Sequence, residues 1–587
     1  LSPSSAASDV YKRQVIQEGL KYANEDRNRQ GLQEFANYRE ISCFDPYVYQ
    51  EIGEGKSHAV FQIESFGMRT FMRDLFADVK IKIQNLENKY NCRGFKEYAR
   101  YENATENDSY QKEMEILGQE LFKRLVAGVS LYRPGPRDYI PDYIKNMKDP
   151  EHIKYDIPQL EPVLRETYGI IVYQEQVMKI VRLLAGFSSG QSDTIRKSMG
   201  KKIKAILDEY KPYFIYGSGD KIDTHTGKPF GIKGCIANGI SEQDAIKLWD
   251  KMEHFAEYAF NKSHAAVYSV ITATCAYLKH YHPAGYMCAM INAYIDTNKA
   301  KGYISAAEKM GIRILQPDVN NSANYFRLEN GCIRYGFAGI KGINKIAKLI
   351  EEEKCKNGEF KGVQDFCNRM YVHKVSKKNI EALTYVGCFD CFGKTRRSIQ
   401  ESIDKLMDSA KKNAAFGAGQ LNFFDVLLID GEMTNDDFIP DVDEYTKDIL
   451  LDKEYEIAGM YITEHPLDRY QEVIEKNNIS EISLLGDQDL RMRVMLCGLI
   501  KNVSTRVTKK DGRTMATFSL EDKSGSLECV IYPDDYAQFG SLINTKAIRI
   551  VTGRYKYGDF GYQLVCSSIK DIEGLETVSY THLTLPT

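Results

Sequence analysis

At 587 residues the chain is too long for one hydrophobic core, so several domains are expected. Hydrophobic content of 43% and charged content of 27% are those of an ordinary soluble globular protein, and no apolar run approaches membrane-spanning length. The formal net charge of -3 leaves any nucleic-acid contact to local basic patches rather than to the balance of the whole chain.

The 13 cysteines are scattered without paired metal spacing, which points to a reducing compartment and a cytoplasmic protein. One CxxC is present, Cys388-Phe389-Asp390-Cys391, without a second pair or a nearby histidine cluster. Residues 1–14 and 578–587 read as non-native, adapter-like sequence. The native part is then expected to run from about Val15 to Thr577, as a piece of a longer protein.

In chain order, residues 15–58 read as a helix followed by a small helical turn at Asp45-Pro46. The stretch AVFQIESFGMRTFMRDL, from Ala59, places Val60, Phe61, Ile63, Phe66 and Met68 around polar residues, as at the start of a buried helix. Residues 81–118 are rich in Asn, Glu, Lys and Tyr, show little apolar periodicity, and are expected to be a dispensable surface insertion. A helix from Leu121 should end at Arg133-Pro134-Gly135-Pro136, because two prolines around a glycine forbid helix and fix a turn.

From Thr167 to Lys202 the spacing predicts a helix, a Gly/Ser turn and a second short helix. Val177, Ile180, Val181 and Leu184 fall at i, i+3, i+4 and i+7, so one face is core. Gly186 supplies the helix stop, and the polar groups from Ser188 to Asp193 can cap the next start. Arg196, Lys197, Lys201, Lys202 and Lys204 then cluster around a Ser-Met-Gly turn, where they could converge on the oxygens of a triphosphate or nucleic-acid backbone. A solvated, charged helix end is the competing reading.

Residues 213–238 read as a second loop-like insertion; their glycines match neither GxxxxGK[ST] nor GxGxxG. Asn261, Lys262, Ser263 and His264 form a polar turn between two apolar helical runs, either a hydrogen-bonded helix junction or a substrate-contacting loop. Beyond a strand-like GIRILQPDVN, the run GIKGINKIAKL (Gly339–Leu349) is a Gly-hydrophobic-Gly hairpin opening a helix. Such a hairpin can turn backbone N–H groups outward to a DNA phosphate. Residues Val375 to Gly393 repeat that pattern.

After an Ala/Gly linker comes Gln420-Leu421-Asn422-Phe423-Phe424-Asp425, a peptide able to insert paired aromatics into a partner's groove. An acidic linker follows. The last domain alternates, with Leu527, Cys529 and Ile531 on one face and Glu528, Val530 and Tyr532 on the other. Hairpin signals at Lys510-Asp511-Gly512 and Lys523-Ser524-Gly525 fit a small barrel of the oligonucleotide-binding type. Lys509, Lys510 and Arg513 on one hairpin tip could track a single strand.

Taken together, AVFQIESFGMR, SLYRPGP, TYGIIVYQEQVM, IRKSMGKK, FNKSHAA, GIKGI and HPLDRY resemble the family C replicative polymerases, the bacterial DNA polymerase III alpha subunits. The resemblance implies a multidomain, mainly α-helical protein. Its parts would be a palm remnant (15–58), helical fingers (59–322), a tandem helix-hairpin-helix domain (323–412), a clamp-binding peptide segment (413–430), an acidic linker with helices (431–488) and a C-terminal OB-fold β-barrel (489–577). It places Arg133, Arg196, Lys197, Lys201 and Lys202 near the phosphates of an incoming deoxynucleotide (dNTP), and Tyr258, Asn261, Lys262, Ser263 and His264 near the nascent base pair. Gly339, Lys341, Gly342 and Lys345 would hold DNA, and Gln420, Leu421, Phe423 and Phe424 the sliding clamp.

Template-primer DNA, dNTPs, the clamp, single-stranded DNA at the barrel and other replisome subunits are the implied partners, with no membrane. The family's catalytic aspartates, which hold two Mg2+ ions, are expected upstream of Val15. This chain is therefore expected to contain no catalytic or metal-binding residue and to be inactive alone. Asp441-Val442-Asp443 and Asp487-Gln488-Asp489 are carboxylate pairs far from the fingers in sequence. A non-enzymatic DNA-binding adaptor is the alternative, although an adaptor has no use for the RPGP, YQEQ and NKSH stretches.

Overall fold

The computed structural model describes residues 3–95, 107–133, 136–200, 203–222, 229–256, 260–297, 299–417, 436–477, 479–482, 485, 492–508, 512–558 and 561–573. The chain divides into two compact units, Leu1–Tyr286 and Met287–Thr587. The fold is mainly helical with a closed β-barrel in the second unit, as the sequence implies. No helix among the described residues is long and apolar enough to cross a membrane.

In the first unit α1 (Pro3–Arg29) begins within the segment expected to be non-native. It is followed by α2 (Pro46–Gly53), whose N-terminus is capped by the Asp45 carboxylate accepting the Tyr47 N–H at 2.9 Å. Three more helices follow, α3 (Phe66–Leu75), α4 (Val79–Tyr90) and α5 (Asp108–Leu131). The surface character expected over 81–118 does not hold at its flanks. Ile83 on α4 and Tyr110, Met114 and Leu117 on α5 are buried, and the Tyr47 hydroxyl links the two helices through Glu87 (2.8 Å) and Tyr110 (3.3 Å). Polar residues on the outer faces of both helices mask a sparse apolar stripe in the sequence.

Helices α6 (Ile140–Lys148), α7 (Glu161–Leu164), α8 (Gln174–Ala185), α9 (Ser189–Gly200), α10 (Lys204–Tyr216) and α11 (Glu242–Ala256) continue the unit. Val177, Ile180, Val181 and Leu184 are all buried, each worth about 1.5–3 kcal/mol relative to exposure. Gly186 closes α8 at φ +77°, a left-handed conformation that any side chain would strain. Ser188 and Gln191 exchange bonds between backbone and side chain at the start of α9, and α9 continues through Ser198-Met199-Gly200, where a flexible turn was expected.

Residues 213–238 are likewise more than a loop. Tyr213, Phe214 and Ile215 finish α10, Ile232 and Cys235 are buried, and Phe214 packs 5.2 Å from the buried Trp249 of α11. The last two helices of this region are α12 (Lys262–Tyr281) and α13 (Pro283–Ala293), the latter carrying the division point between the units.

The second unit continues with α14 (Lys299–Lys309) and a small sheet of β1 (Ile314–Leu315), β2 (Arg327–Glu329) and β3 (Cys332–Arg334) in the order β1-β3-β2. Helices α15 (Asn344–Asn357), α16 (Val363–Tyr371), α17 (Lys377–Tyr385) and α18 (Arg396–Gly417) surround a core that includes Phe366, Leu383 and Phe389. Burial pushes the Cys388 thiol well up, so it stays protonated, whereas Cys391 is exposed.

The described part of the acidic stretch is not a free linker. Asp436 accepts the Val363 and Gln364 N–H groups at 2.8 Å, and Glu444 accepts those of Arg396 and Arg397 at 2.7 and 3.1 Å. Both carboxylates sit on helix N-termini, where backbone donors and the helix dipole favour negative charge.

Two helices, α19 (Lys447–Ala458) and α20 (Gln471–Lys476), lead to the barrel. Its strands are β4 (Arg493–Val507), β5 (Thr514–Glu521), β6 (Ser526–Ile531), β7 (Ile548–Gly558) and β8 (Gly561–Asp571), with α21 (Pro533–Phe539) between β6 and β7. They close in the order β4-β5-β6-β8-β7, with only β6 and β8 parallel. Leu527, Cys529 and Ile531 enter the barrel core with Phe518, Val551 and Leu564.

His465, between α19 and α20, gives this unit a pH dependence. Its Nδ1 accepts the Leu467 N–H at 3.1 Å and its ring packs 5.0 Å from Tyr461, so the neutral imidazole is the form that fits. Burial brings its pKa down to about 4. The unfolded chain takes up this proton near pH 6.5 and the folded chain only near 4, so stability falls as pH drops through that window. Chemical denaturation at pH 7 and 4.5 should show a loss on the order of 2 kcal/mol from this group, and His465→Asn should remove that component.

Candidate functional site

Three groups singled out in the sequence meet at the N-terminus of α8. Gln174, Glu175 and Gln176 each make a different connection there. Gln176 is buried; its Oε1 accepts the N–H groups of Val172 (2.8 Å) and Tyr173 (2.9 Å), while its Nε2 donates to Thr167 Oγ1 at 2.7 Å. These bonds fix the TYGIIVY turn ahead of the helix.

The Glu175 carboxylate accepts the Lys262 N–H at 3.0 and 3.2 Å, at the first turn of α12. Gln174 donates its N–H to the Phe260 carbonyl at 3.1 Å, and its Oε1 accepts from the Arg196 guanidinium at 3.4 Å. Arg133 joins the same place by laying its guanidinium 3.7 Å from the centre of the Phe260 ring. The Phe260–His264 turn, Arg196 and Arg133, spread over more than a hundred residues of sequence, thus share two anchor residues, Gln174 and Phe260.

The cations are not equivalent. Arg196 and Lys197 both pair with Asp193 at 2.8 Å, and the Lys262 ammonium pairs with Glu166 at 2.7 Å. Asp193 lies three and four residues before Arg196 and Lys197, so this neutralisation was visible as helical spacing. Arg133 is exposed and has no carboxylate partner among the described residues. Asn261 caps α12 by accepting the His264 N–H at 2.9 Å; this supplies the hydrogen-bonded junction and leaves Ser263 and His264 exposed. Lys201, Lys202 and Tyr258 lie outside the described residues, as do Gln420, Leu421, Phe423 and Phe424.

In the second unit, Lys341, Gly342 and Lys345 are exposed at the start of α15, with Gly342 at φ +82°. The hairpin's N–H groups do not all face solvent as expected. Gly339 N–H donates to the Gly336 carbonyl (3.1 Å) and Lys341 N–H to the Ile457 carbonyl (3.2 Å), because α19 packs against the hairpin. Asn379 of the second hairpin motif donates to the Gly342 carbonyl at 2.9 Å, which ties the two motifs together.

Among the described residues magnesium finds no fitting ligand set. Among the described residues no group of three His, Cys, Asp or Glu side chains could hold a metal ion, Asp441 pairs with Lys394 at 2.8 Å, and Asp487 and Asp489 lie outside those residues.

Three family models match the chain in sequence order. They are the bacterial DNA polymerase III alpha subunit finger domain (residues 106–221), the helix-hairpin-helix motif (311–399) and the OB-fold nucleic acid binding domain (494–572). Full-length comparison extends the match to the intervening residues. The chain is 34% identical over 526 residues to DNA polymerase III subunit alpha of Aquifex aeolicus, covering 88% of this chain and 38% of that protein. It is 32% identical over 539 residues to the same subunit of Treponema pallidum, covering 91% and 41%.

The chain is a homologue of the bacterial DNA polymerase III alpha subunit. It spans about two fifths of the length of the curated relatives it matches. The finger match to this subunit includes Arg133, the Gln174–Gln176 run, Arg196 and Lys197, while the Phe260–His264 turn packed against them lies beyond its end. The finger match also begins at residue 106, inside the stretch expected to be dispensable.

Proposed function

We propose that this chain is the nucleotide- and DNA-holding part of a replicative DNA polymerase. The first unit would present an incoming deoxynucleotide to a template-primer end, while the hairpin domain and barrel hold DNA. The observation that carries this reading is the convergence of Arg133, Arg196 and the Phe260–His264 turn on Gln174 and Phe260. An adaptor that only bound DNA would have no use for that arrangement.

Arg133 is the foremost phosphate ligand in this reading, since Arg196 and Lys197 share a carboxylate and would have to release it. Lys201 and Lys202 would add charge nearby, and Tyr258, Asn261, Lys262, Ser263 and His264 would border the base. The chemistry itself needs metal-bound carboxylates, and in this reading they come from outside this chain, which alone would be inactive. Cytoplasmic location and replisome partners follow from the same reading.

In a polymerase assembled by joining this chain to the amino-terminal part of a relative's alpha subunit, Arg133→Ala should lower kcat/KM for deoxynucleotide roughly tenfold or more, the cost of one charge-assisted hydrogen bond. Unchanged kinetics would remove Arg133 from the nucleotide site. For the peptide at Gln420–Phe424, replacing Gln420, Phe423 and Phe424 together with alanine should abolish binding to a ring-shaped sliding clamp in a pull-down; retained binding would refute that assignment.

A further inference from the structure

The N-terminal part of α12 carries a row of aromatic rings. Phe260 lies 5.7 Å from His264, His264 lies 4.9 Å from Tyr268, and Tyr268 lies 5.7 Å from Phe61, measured between ring centres. His264 and Tyr268, four residues apart on α12, share one face of the helix, and Phe260 precedes the Asn261 cap and continues the row from outside the helix. His264 is exposed, the other three rings are half-buried, and Val267 beside them is 61% exposed.

Phe61 is held in this row by an unusual backbone. Ala59, two residues before it, and Gln62, next after it, have φ of 63° and 67°, a region that non-glycine residues seldom occupy. The surrounding loop is fixed by buried groups. Lys279 Nζ donates to the carbonyls of Lys56 (2.8 Å) and His58 (2.7 Å), the Tyr286 hydroxyl donates to the Ala59 carbonyl (2.7 Å), and Ser57 Oγ donates to the Ile63 carbonyl (2.9 Å). A half-buried phenyl ring is thereby kept in line with the helix row. At the other end, Arg133 stacks on Phe260 and has no carboxylate partner among the described residues.

We propose that Phe260, His264, Tyr268 and Phe61 form a stacking platform for successive unpaired bases of the template strand. The proposal rests on the reading given under Proposed function and adds to it the residues that receive bases. A single base needs one ring face, whereas this row holds four rings at successive separations of 5.7, 4.9 and 5.7 Å. Because every base has a π-face, the platform is indifferent to sequence.

The test uses the whole chain and a primer-template whose single-stranded template overhang carries 2-aminopurine, a base whose fluorescence changes when it stacks. Phe61→Leu and His264→Ala should each weaken the saturable fluorescence change roughly five- to tenfold, while Phe61→Tyr and Tyr268→Phe retain it. Anisotropy of the whole DNA should change little, since the hairpin domain and barrel also hold it. A full fluorescence change in both Phe61→Leu and His264→Ala, with native thermal melts, overturns the platform. A change seen with free 2-aminopurine deoxynucleoside triphosphate and absent with the overhang also overturns it, in favour of a nucleotide-base pocket. A kinetic defect in Arg133→Ala alongside unaffected Phe61→Leu and His264→Ala would sink the platform while leaving the nucleotide site standing; no defect in any of the three would sink both.

Discussion

Arg396→Ala should lower the stability of the second unit by about 3–5 kcal/mol, the usual cost of leaving one member of a buried ion pair alone. Arg396 is 5% exposed. Its guanidinium bonds the Asp390 carboxylate at 2.8 Å, the Tyr385 carbonyl at 2.9 Å and Glu454 Oε1 at 2.8 Å. Glu454 is fully buried, and its other oxygen accepts the N–H groups of Ile462 (3.1 Å) and Thr463 (3.0 Å). With the arginine gone, Glu454 must either hold an uncompensated charge or take up a proton. Glu454→Gln in the Arg396→Ala background should therefore recover part of the loss. Urea denaturation read by hydrogen exchange in α18 gives both values, and a single-variant cost under about 1 kcal/mol would mean that the network does not hold α18 to α19.

Gly118→Ala should destabilise the first unit by about 3 kcal/mol, at the upper end of overpacking costs. A Cβ at Gly118 would lie 1.8 Å from the Phe44 carbonyl oxygen and 2.4 Å from its carbon, so backbone must move. That movement would disturb Asp45, which caps α2. Gly128 on the same helix is the internal control, because its Cβ would meet side chains and no backbone, the ends of Leu75 and Met72 at 2.8 and 2.9 Å and the Phe71 ring at 3.6 Å. There the helix-propensity gain of alanine over glycine, up to about 1 kcal/mol, offsets the adjustment. Thermal melts in which the two variants lose equal stability would contradict the close approach of α5 to Phe44.

Much of this fold was legible because local rules acted alone. The 3.6-residue period of Val177 to Leu184, the glycine stop at Gly186 and the shared inward face of Leu527, Cys529 and Ile531 depend on nearby residues, and all three appear as expected, although Val530 on the other face is buried too. Residues 81–118 and the acidic stretch were misjudged for the opposite reason. Composition reports the solvent-facing majority of a helix, and it says nothing of a few buried positions such as Tyr110 and Met114. Nor does it say that Asp436 and Glu444 meet helix N-termini 73 and 48 residues away.

At the site, sequence alone determined which residue types were present and that Arg133, Arg196 and the turn around Asn261 were worth attention, because prolines, clustered cations and a polar break between apolar helices announce themselves locally. Only the tertiary structure decided their relations. Gln174 and Phe260 join them through hydrogen bonds and a cation–ring contact across more than a hundred residues, and Glu166 partly neutralises Lys262. The physical reason is that charge and stacking act through space over a few ångströms, whereas sequence spacing measures distance only along a single helix or strand.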